Sequence, residues 1–353
     1  MEKRKSQVDK YNLSKKRKAR ITAVLLLALI VLTAVSMLVG QYGVSPIETI
    51  KILLGAQSAS AAEINTISSI MLNIRLPRTL AAILIGGVLA IAGITYQCVF
   101  RNILVSQDVL GVSTGACTGA AIAIVMDLSA YYVQGLSFIT GLLSVLVVFL
   151  LAKAIKSERT LSLILSGILV SGLMSSVLGY IKYMADPQTH LQSIIFWTMG
   201  DLSSIDLKQI AQVAIPMLLC VVLIYLNRWK LNFFCYSDGE ATNLGFNIKL
   251  YRIAFLMAST ILVSMAVSIS GSIGWIGLVI PQLVRTIIGT DNSDTVGLSF
   301  IMGANFLLLM DVINRLISAA ELPISILTGL VGTPIFVVCL LLKQRGEKYA
   351  NHD

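Results

Sequence analysis

The chain has 353 residues, of which 56% are hydrophobic and only 13% are charged, and its mean hydropathy is +0.84. A soluble globular domain needs more polar surface than this, so the composition excludes that class and predicts a polytopic membrane protein. The net charge of +9 does not indicate nucleic-acid binding, because nine of the 27 Lys and Arg residues are concentrated in residues 1–20.

The first apolar segment, residues 21–41, follows this basic run directly. It is too long for the core of a cleaved signal peptide, and no small-x-small cleavage site clearly ends it. We therefore predict a cytoplasmic basic tail, residues 1–20, followed by a membrane helix that stays in the mature protein.

Further apolar runs of spanning length follow and predict an all-α protein with ten membrane helices. The ten spans are placed at 21–41, 76–100, 109–127, 136–155, 160–184, 207–227, 251–270, 272–289, 296–314 and 324–343. The membrane domain is thus residues 21–343, and residues 344–353 form a C-terminal tail. Between the seventh and eighth spans the break consists only of Ser270, Gly271 and Gly274, which predicts a tight turn.

The distribution of positive charge predicts the orientation of these spans. With the N-terminus inside, 21 of the 27 Lys and Arg residues fall in inside segments and six fall in outside segments. This bias places both termini in the cytoplasm. The two long outside segments are 42–75, whose amphipathic stretch SPIETIKILLG is predicted to lie along the surface, and 185–206, which holds a short helical run. The long inside segment is 228–250.

Motifs for independent catalysis are missing from the sequence. It has no Walker A sequence, no HExxH and no pair of membrane aspartates, and its one GxSxG string lies inside an apolar helical run. The five cysteines are odd in number and form no CxxC, so they are predicted to be small buried side chains. We expect no catalytic residue, no cofactor and no metal site.

Three arginines occupy the predicted outer helix ends, against the positive-inside trend. Arg75 and Arg78 begin the second span, and Arg315 ends the ninth. Two interpretations stay open: the side chains extend to the interface from helix ends, or they form an outward basic patch for an acidic partner. Asp311 lies one turn before Arg315 and is expected to form an i,i+4 pair with it.

The inside loop contains the stretch YSDGEATNLGFNIK, which predicts a short helix. Ser237 or Asp238 can cap it, Glu240 lies in its first turn, and Gly245 can end it. Such a helix is either a lever for a partner subunit or part of a solvated loop.

The stretch GSIGWIGLVIPQLVRTIIG, residues 271–289, combines apolar length with helix-breaking residues. Pro281 removes a backbone donor and bends a helix, and Arg285 suits the cytoplasmic end of the helix dipole. Gly271, Gly274 and Gly277 permit a tight entrance and close helix contact. A movable inner gate and a static kinked helix are both compatible with this pattern.

Six stretches, in order, resemble successive blocks of the iron-siderophore/vitamin B12 permease family of FecCD type. They are RLPRTLAAILIGGVLAIAGITYQ, RNILVSQDVLGVSTGA, FWTMGDLS, DGEATNLGFNI, GSIGWIGLVIPQLVRTIIG and AELPISILTGLVGTPIFVVCLL. The resemblance implies ten helices, with helices two to five and seven to ten forming an inverted repeat. Where the family commonly has Pro-His-x-x-Arg, this chain has Gln282, which keeps hydrogen-bonding capacity but cannot be protonated.

The same resemblance implies the partners. Two permease subunits, identical or similar, pair around a central path in the bacterial inner membrane, and two cytoplasmic ATP-binding subunits contact the loop between helices six and seven. Asp238, Glu240, Ala241 and Gly245 would then belong to the coupling helix. An external substrate-binding protein would dock at Arg75, Arg78 and Arg315.

The function implied is that of a transporter subunit, not an enzyme. A ferric siderophore is the expected substrate, with cobalamin and haem as alternatives. An ion-coupled secondary transporter is the competing class, but it requires ionisable residues in helix interiors, and these are nearly absent.

Overall fold

Helices form almost all of the described structure, as the apolar runs predicted. The computed structural model describes residues 2–40, 61–155, 159–317 and 322–350, and no β-strand occurs within these ranges. The α-helices are α1 (Glu2–Leu38), α2 (Ala61–Ile70), α3 (Leu76–Val99), α4 (Val112–Val125), α5 (Ala130–Ala154), α6 (Arg159–Met184), α7 (His190–Thr198), α8 (Leu207–Leu226), α9 (Asp238–Asn243), α10 (Ile248–Ser270), α11 (Ile276–Ile288), α12 (Asn292–Ile317) and α13 (Ile324–Ala350). A π-helical turn, Met71–Arg75, joins α2 to α3, and 3₁₀ turns cover Gln107–Leu110 and Arg228–Cys235.

Each of the ten predicted spans coincides with one helix. Eight of the spans found among the described residues are long and apolar enough to cross a membrane, whereas α4 and α11 are apolar but shorter. The 14 residues of α4 extend only about 21 Å, less than the hydrocarbon thickness of about 30 Å. These two helices therefore need the chain before them to complete a crossing.

The predicted ends of the membrane domain do not coincide with breaks in the helices. The basic segment and the first span form one continuous helix, because α1 begins at Glu2. The tenth span likewise continues in α13 to Ala350. The short helical run predicted in the second long outside segment is α7. The stretch SPIETIKILLG lies outside the described residues.

The core is centred on α3, which packs against α10, α11 and α12. Buried residues make up 83% of the most apolar part of the α3 span and only 6% of that of α1. The first helix is therefore peripheral and contacts the rest of the protein mainly through α12.

Glycine allows the central helices to approach one another to backbone contact. A Cβ atom added at Gly86 of α3 would lie 2.3 Å from the carbonyl oxygen of Gly303 in α12. One added at Gly93 would lie 2.0 Å from the carbonyl oxygen of Gly277 in α11. No side chain fits at these crossings, which follow the small-residue packing typical of membrane helices.

The two non-helical segments that precede the short helices α4 and α11 contact each other. Gln107, in the 3₁₀ turn before α4, donates from Nε2 to the carbonyl oxygen of Ile273, in the break between α10 and α11, at 2.6 Å. In the repeat that the family resemblance implies, these two breaks occupy corresponding positions. The contact therefore joins the two halves of the chain at its centre.

Candidate functional site

A short capped helix forms within residues 228–250, as predicted. The backbone N–H of Glu240 donates to Ser237 Oγ at 3.2 Å, and the backbone N–H of Ser237 donates to Glu240 Oε2 at 2.9 Å. This reciprocal pair is a capping box at the N-terminus of α9. Gly245 follows with φ +78°, which ends the helix, and Ala241 is buried against the protein.

The carboxylates of α9 have different surroundings. Glu240 is bound within the cap, and hydrogen bonds from the Ser237 side chain and backbone lower its pKa. Asp238 instead accepts two bonds from Arg252, at 2.9 and 3.0 Å, and one from Arg101 at 2.8 Å. The hydrogen bond from Arg252 is the main reason why the pKa of Asp238 is lowered.

Aromatic packing anchors the chain on both sides of α9 to the membrane domain. The rings of Phe233 and Phe246 stack with centroids 4.5 Å apart, and Phe246 stacks in turn on Tyr251 at 4.9 Å. Phe234 meets Phe255 of α10 edge to face at 6.1 Å. Offset and edge-to-face pairs of this kind stabilise by about 1 kcal/mol each beyond their burial, so α9 stands on a rigid base.

The predicted gate segment begins with a sharp break. Gly271 adopts φ +67°, and a Cβ atom there would lie 2.0 Å from the carbonyl oxygen of Trp197, so both conformation and space require glycine. Gly277 is confined by Gly93 and Gln107. Nothing lies within 4 Å of a Cβ atom added at Gly274, so this glycine makes no close helix contact in the structure. Trp275 adopts φ +72°, a strained conformation for an aromatic residue.

A polar network joins α11, which carries the predicted gate residues, to the C-terminal end of α3. Gln282 donates from Nε2 to Gln97 Oε1 at 3.2 Å, and Arg285 donates to the same oxygen. Gln97 donates in turn to the carbonyl oxygen of Gly277 at 3.3 Å. Pro281 lies inside α11 and is buried next to this network.

This network borders a cavity of about 590 Å³ at the predicted cytoplasmic side. Among the described residues that line it are two arginines, Arg101 and Arg285, and no carboxylate. Three cysteines also line it: Cys98, Cys235 and Cys339. The prediction that all cysteines are buried was wrong for Cys235, which is exposed.

Sequence reasoning missed Gln97 and Gln107 as members of this central network. Each is a buried amide in an apolar surrounding, 2% and 1% exposed respectively. A buried amide requires hydrogen-bond partners, so the position of Gln97 in an apolar run was the available signal, whereas Gln107 lies between Ser106 and Asp108 and offered none. Among the described residues, no group of three or more His, Cys, Asp and Glu side chains could hold a metal ion.

The three outer arginines are buried, which differs from the predicted outward basic patch. Arg75, Arg78 and Arg315 are 3%, 4% and 7% exposed. Arg78 Nε donates to Asp311 Oδ1 at 2.6 Å, and Arg315 bonds the other oxygen of Asp311. The predicted i,i+4 pair is thereby confirmed.

These arginines also hold the C-terminal end of α1. Arg75 Nη1 donates to the carbonyl oxygens of Met37 and Leu38 at 2.8 and 3.0 Å, and Arg315 Nη1 donates to that of Ser36 at 2.9 Å. The last carbonyls of a helix lack intrahelical partners and carry the negative end of its dipole. The cluster therefore fastens the peripheral α1 to the core helices.

Comparison with known proteins accounts for this combination of long apolar helices, a capped loop helix and glycine crossings. The model of the FecCD transport family matches residues 27–343. The chain belongs to the FecCD transport family. As a member it is a multi-pass membrane permease of the ABC importer class, not an enzyme, and ATP hydrolysis belongs to a separate subunit.

Several relatives of this family member match over nearly their whole length. A probable iron chelatin transport system permease of Helicobacter pylori is 36% identical over 91% of this chain and 97% of its own. The molybdate import system permease MolB of Haemophilus influenzae is 34% identical over 91% and 95%. A solved metal-chelate type ABC transporter in an inward-facing conformation aligns with TM-score 0.81 and 32% identity over 92% of this chain and 99% of that one.

Proposed function

We propose that this permease takes a ferric siderophore from an external binding protein and passes it across the bacterial inner membrane. A second permease subunit, identical or similar, completes the path, and two cytoplasmic ATP-binding subunits supply the energy. Both termini lie in the cytoplasm in this arrangement. The observation that carries the proposal is the family match over residues 27–343, with an iron chelatin permease among the near full-length relatives.

The geometry supports different roles for two segments of the chain. In this mechanism α9, with Asp238, Glu240, Ala241 and Gly245, is the contact for the ATP-binding subunit. The segment from Gly271 through Gln282 to Arg285 is the inner gate. ATP binding must favour one gate conformation and docking of the loaded binding protein the other, since a ligand shifts only an equilibrium whose states it binds differently.

Docking at Arg75, Arg78 and Arg315 is the part of the proposal under most geometric constraint. All three guanidinium groups are buried in contacts within the chain. An acidic binding-protein residue would therefore have to compete with Asp311 or with the carbonyls of α1. Docking in this mechanism includes a rearrangement of the outer end of α1, which loosens its attachment to α12.

Molybdate is the second candidate substrate, because a permease of similar identity is named for its import. Haem and cobalamin are the remaining alternatives that the family resemblance implies. Arg285 faces the inner cavity and hydrogen-bonds the neutral groups Gln97 and Cys98, which favours an anionic solute there, whereas the charge of Arg101 is balanced by Asp238. Molybdate and many ferric chelates meet this condition.

Uptake by the reconstituted complex tests the proposal. The chain is reconstituted in proteoliposomes with the ATP-binding subunit and the binding protein that are encoded beside it. ATP is supplied in the compartment that holds the ATP-binding subunit. A ferric siderophore, molybdate, haem and cobalamin are supplied separately. ATP-dependent accumulation of the ferric siderophore alone is expected. Accumulation of molybdate alone would reassign the substrate, and failure of all four would contradict the proposal.

A further inference from the structure

The carboxylate of Asp238 joins three separate parts of the chain. It lies in the first turn of α9, and it binds Arg252 near the start of α10 and Arg101 just beyond the end of α3. The two arginines come from the two halves of the molecule that the fold brings together at α9. The positive charges of the two arginines would repel one another if the carboxylate were not between them. Asp238 is therefore the residue that both arginines share.

The arm through Arg252 is rigid. The Arg252 side chain is 4% exposed, and its guanidinium lies 5.9 Å from the centre of the Phe234 ring. A bidentate guanidinium–carboxylate pair fixes both distance and orientation. From this anchor α10 runs without interruption to Ser270, next to the break that contacts Gln107.

The connection from Asp238 to α3 through Arg101 is short, and the backbone of Arg101 is strained. Arg101 adopts φ +53°, which is uncommon for a residue with a side chain. Its guanidinium also donates to the carbonyl oxygens of Phe234 and Tyr236 and so closes the chain before α9 onto the end of α3. Four residues earlier, Gln97 holds Gln282 and the backbone of Gly277 in α11.

These contacts form a continuous mechanical connection from α9 to the gate. A displacement of α9 moves Asp238, which pulls the end of α3 through Arg101 and the start of α10 through Arg252. The inner end of α3 carries the amide that α11 contacts, and the far end of α10 leads into the break before α11. Both routes therefore end at the same helix.

We propose that Asp238 is the positioning residue that transmits movement of α9 to α3 and α10 together, and so couples the ATP-binding subunit to the gate. This inference rests on the proposed function, in which α9 contacts that subunit. It assigns to the Asp238 carboxylate a role inside the permease, while the helix that carries it provides the subunit contact. The Glu240 carboxylate instead bonds Ser237 within the cap of the same helix.

The test measures solute transported per ATP hydrolysed in the reconstituted complex. Asp238→Asn keeps the size of the side chain but removes the charge that holds both arginines. We expect the transport ratio to fall about tenfold while the ATP-binding subunit stays associated and hydrolyses ATP. Asp294→Asn is the matched control. The Asp294 side chain is 43% exposed, against 45% for Asp238, and it also pairs with a basic side chain, Lys18, at 2.5 Å. That pair joins α1 to α12 and does not involve α9. Its ratio should stay within twofold of the unsubstituted chain.

A second readout follows the movement itself. Cys235, on the α9 side, and Cys98, on α3, line the same cavity, and their labelling by a maleimide is resolved by peptide mass spectrometry with and without ATP. In the unsubstituted chain both rates should change with ATP. In Asp238→Asn the change at Cys98 should be smaller than in the unsubstituted chain, because Arg101 retains its bonds to the carbonyl oxygens of Phe234 and Tyr236 but no longer holds α9 itself.

Arg101→Gln provides an independent variant if Asp238→Asn does not fold, since the Arg101 side chain is 30% exposed. It should abolish the response at Cys98 and lower the transport ratio. A normal ratio together with a normal Cys98 response in a folded variant overturns the inference. Failure of the unsubstituted chain to bind the ATP-binding subunit would instead overturn the proposed function.

Discussion

Replacing Gly93 by alanine tests whether the central helices touch through their backbones. The added Cβ would lie 2.0 Å from the Gly277 carbonyl oxygen and 2.4 Å from its Cα, where ordinary contact begins at 3.4 Å. Because the obstacle is backbone, no rotamer change relieves it, and α3 and α11 must separate by about 1.4 Å at this point.

The expected cost combines two contributions. Overpacking of this kind costs about 1–3 kcal/mol. The separation also stretches the bonds from Gln97 to Gly277 and from Gln282 to Gln97, already 3.3 and 3.2 Å long, and each lost hydrogen bond costs about 1 kcal/mol. The free energy of unfolding should therefore fall by roughly 3–5 kcal/mol, equivalent to roughly 6–10 °C in the unfolding midpoint at about 2 °C per kcal/mol.

The assay is size-exclusion chromatography of the detergent-solubilised protein after a heating series. Gly135→Ala is the control, because Gly135 also lies inside a membrane helix but has nothing within 4 Å of an added Cβ. Its midpoint should stay the same or rise slightly, since alanine favours the helix. A midpoint for Gly93→Ala equal to that of the control would refute the backbone contact.

The other predictions concern the two charged clusters. Asp311→Asn removes the buried carboxylate that Arg78 and Arg315 share, so the free energy of unfolding should fall by about 3–5 kcal/mol, measured by the same heating assay. If the arginines also dock the binding protein, affinity in a salt titration should rise in a folded Asp311→Asn protein, whereas unchanged affinity would contradict the competition argued above. Ser237→Ala removes the N-cap of α9 at a cost of about 1 kcal/mol. The amide hydrogens of α9 should therefore exchange about fivefold faster, and an unaltered exchange rate would exclude the capping role. Asp238 has a lowered pKa, so its stabilising contribution is complete at neutral pH and is lost as pH falls through the folded-state pKa. The rate of amide hydrogen exchange in α9, corrected for the intrinsic rate, should therefore stay constant from pH 7 down to about pH 5 and increase below it.

The sequence was sufficient for the features that depend on neighbouring residues. The length of an apolar run predicts a span without reference to the rest of the chain, so each of the ten predicted spans corresponds to a helix among the described residues. The capping box of α9 needs only Ser237 and Glu240, three residues apart, and Gly245 ends the helix by its own conformational freedom. The i,i+4 pair of Asp311 and Arg315 is local for the same reason.

Contacts between distant segments could not be read from the sequence. Arg78 meets Asp311 across 233 positions, and Gln282 meets Gln97 across 185. The burial of the outer arginines depends on the end of α1, which no local pattern places beside α3. Gly274 resembles Gly271 in sequence, but only the surrounding backbone distinguishes a required glycine from a tolerated one.

The central claim is that this permease moves solute only when a separate subunit hydrolyses ATP. The most direct measurement compares uphill uptake in three sets of proteoliposomes: with the active ATP-binding subunit, with a hydrolysis-dead one, and with the purified chain alone under a proton or sodium gradient. We predict accumulation in the first set only. Accumulation by the chain alone, driven by either gradient, would contradict the account.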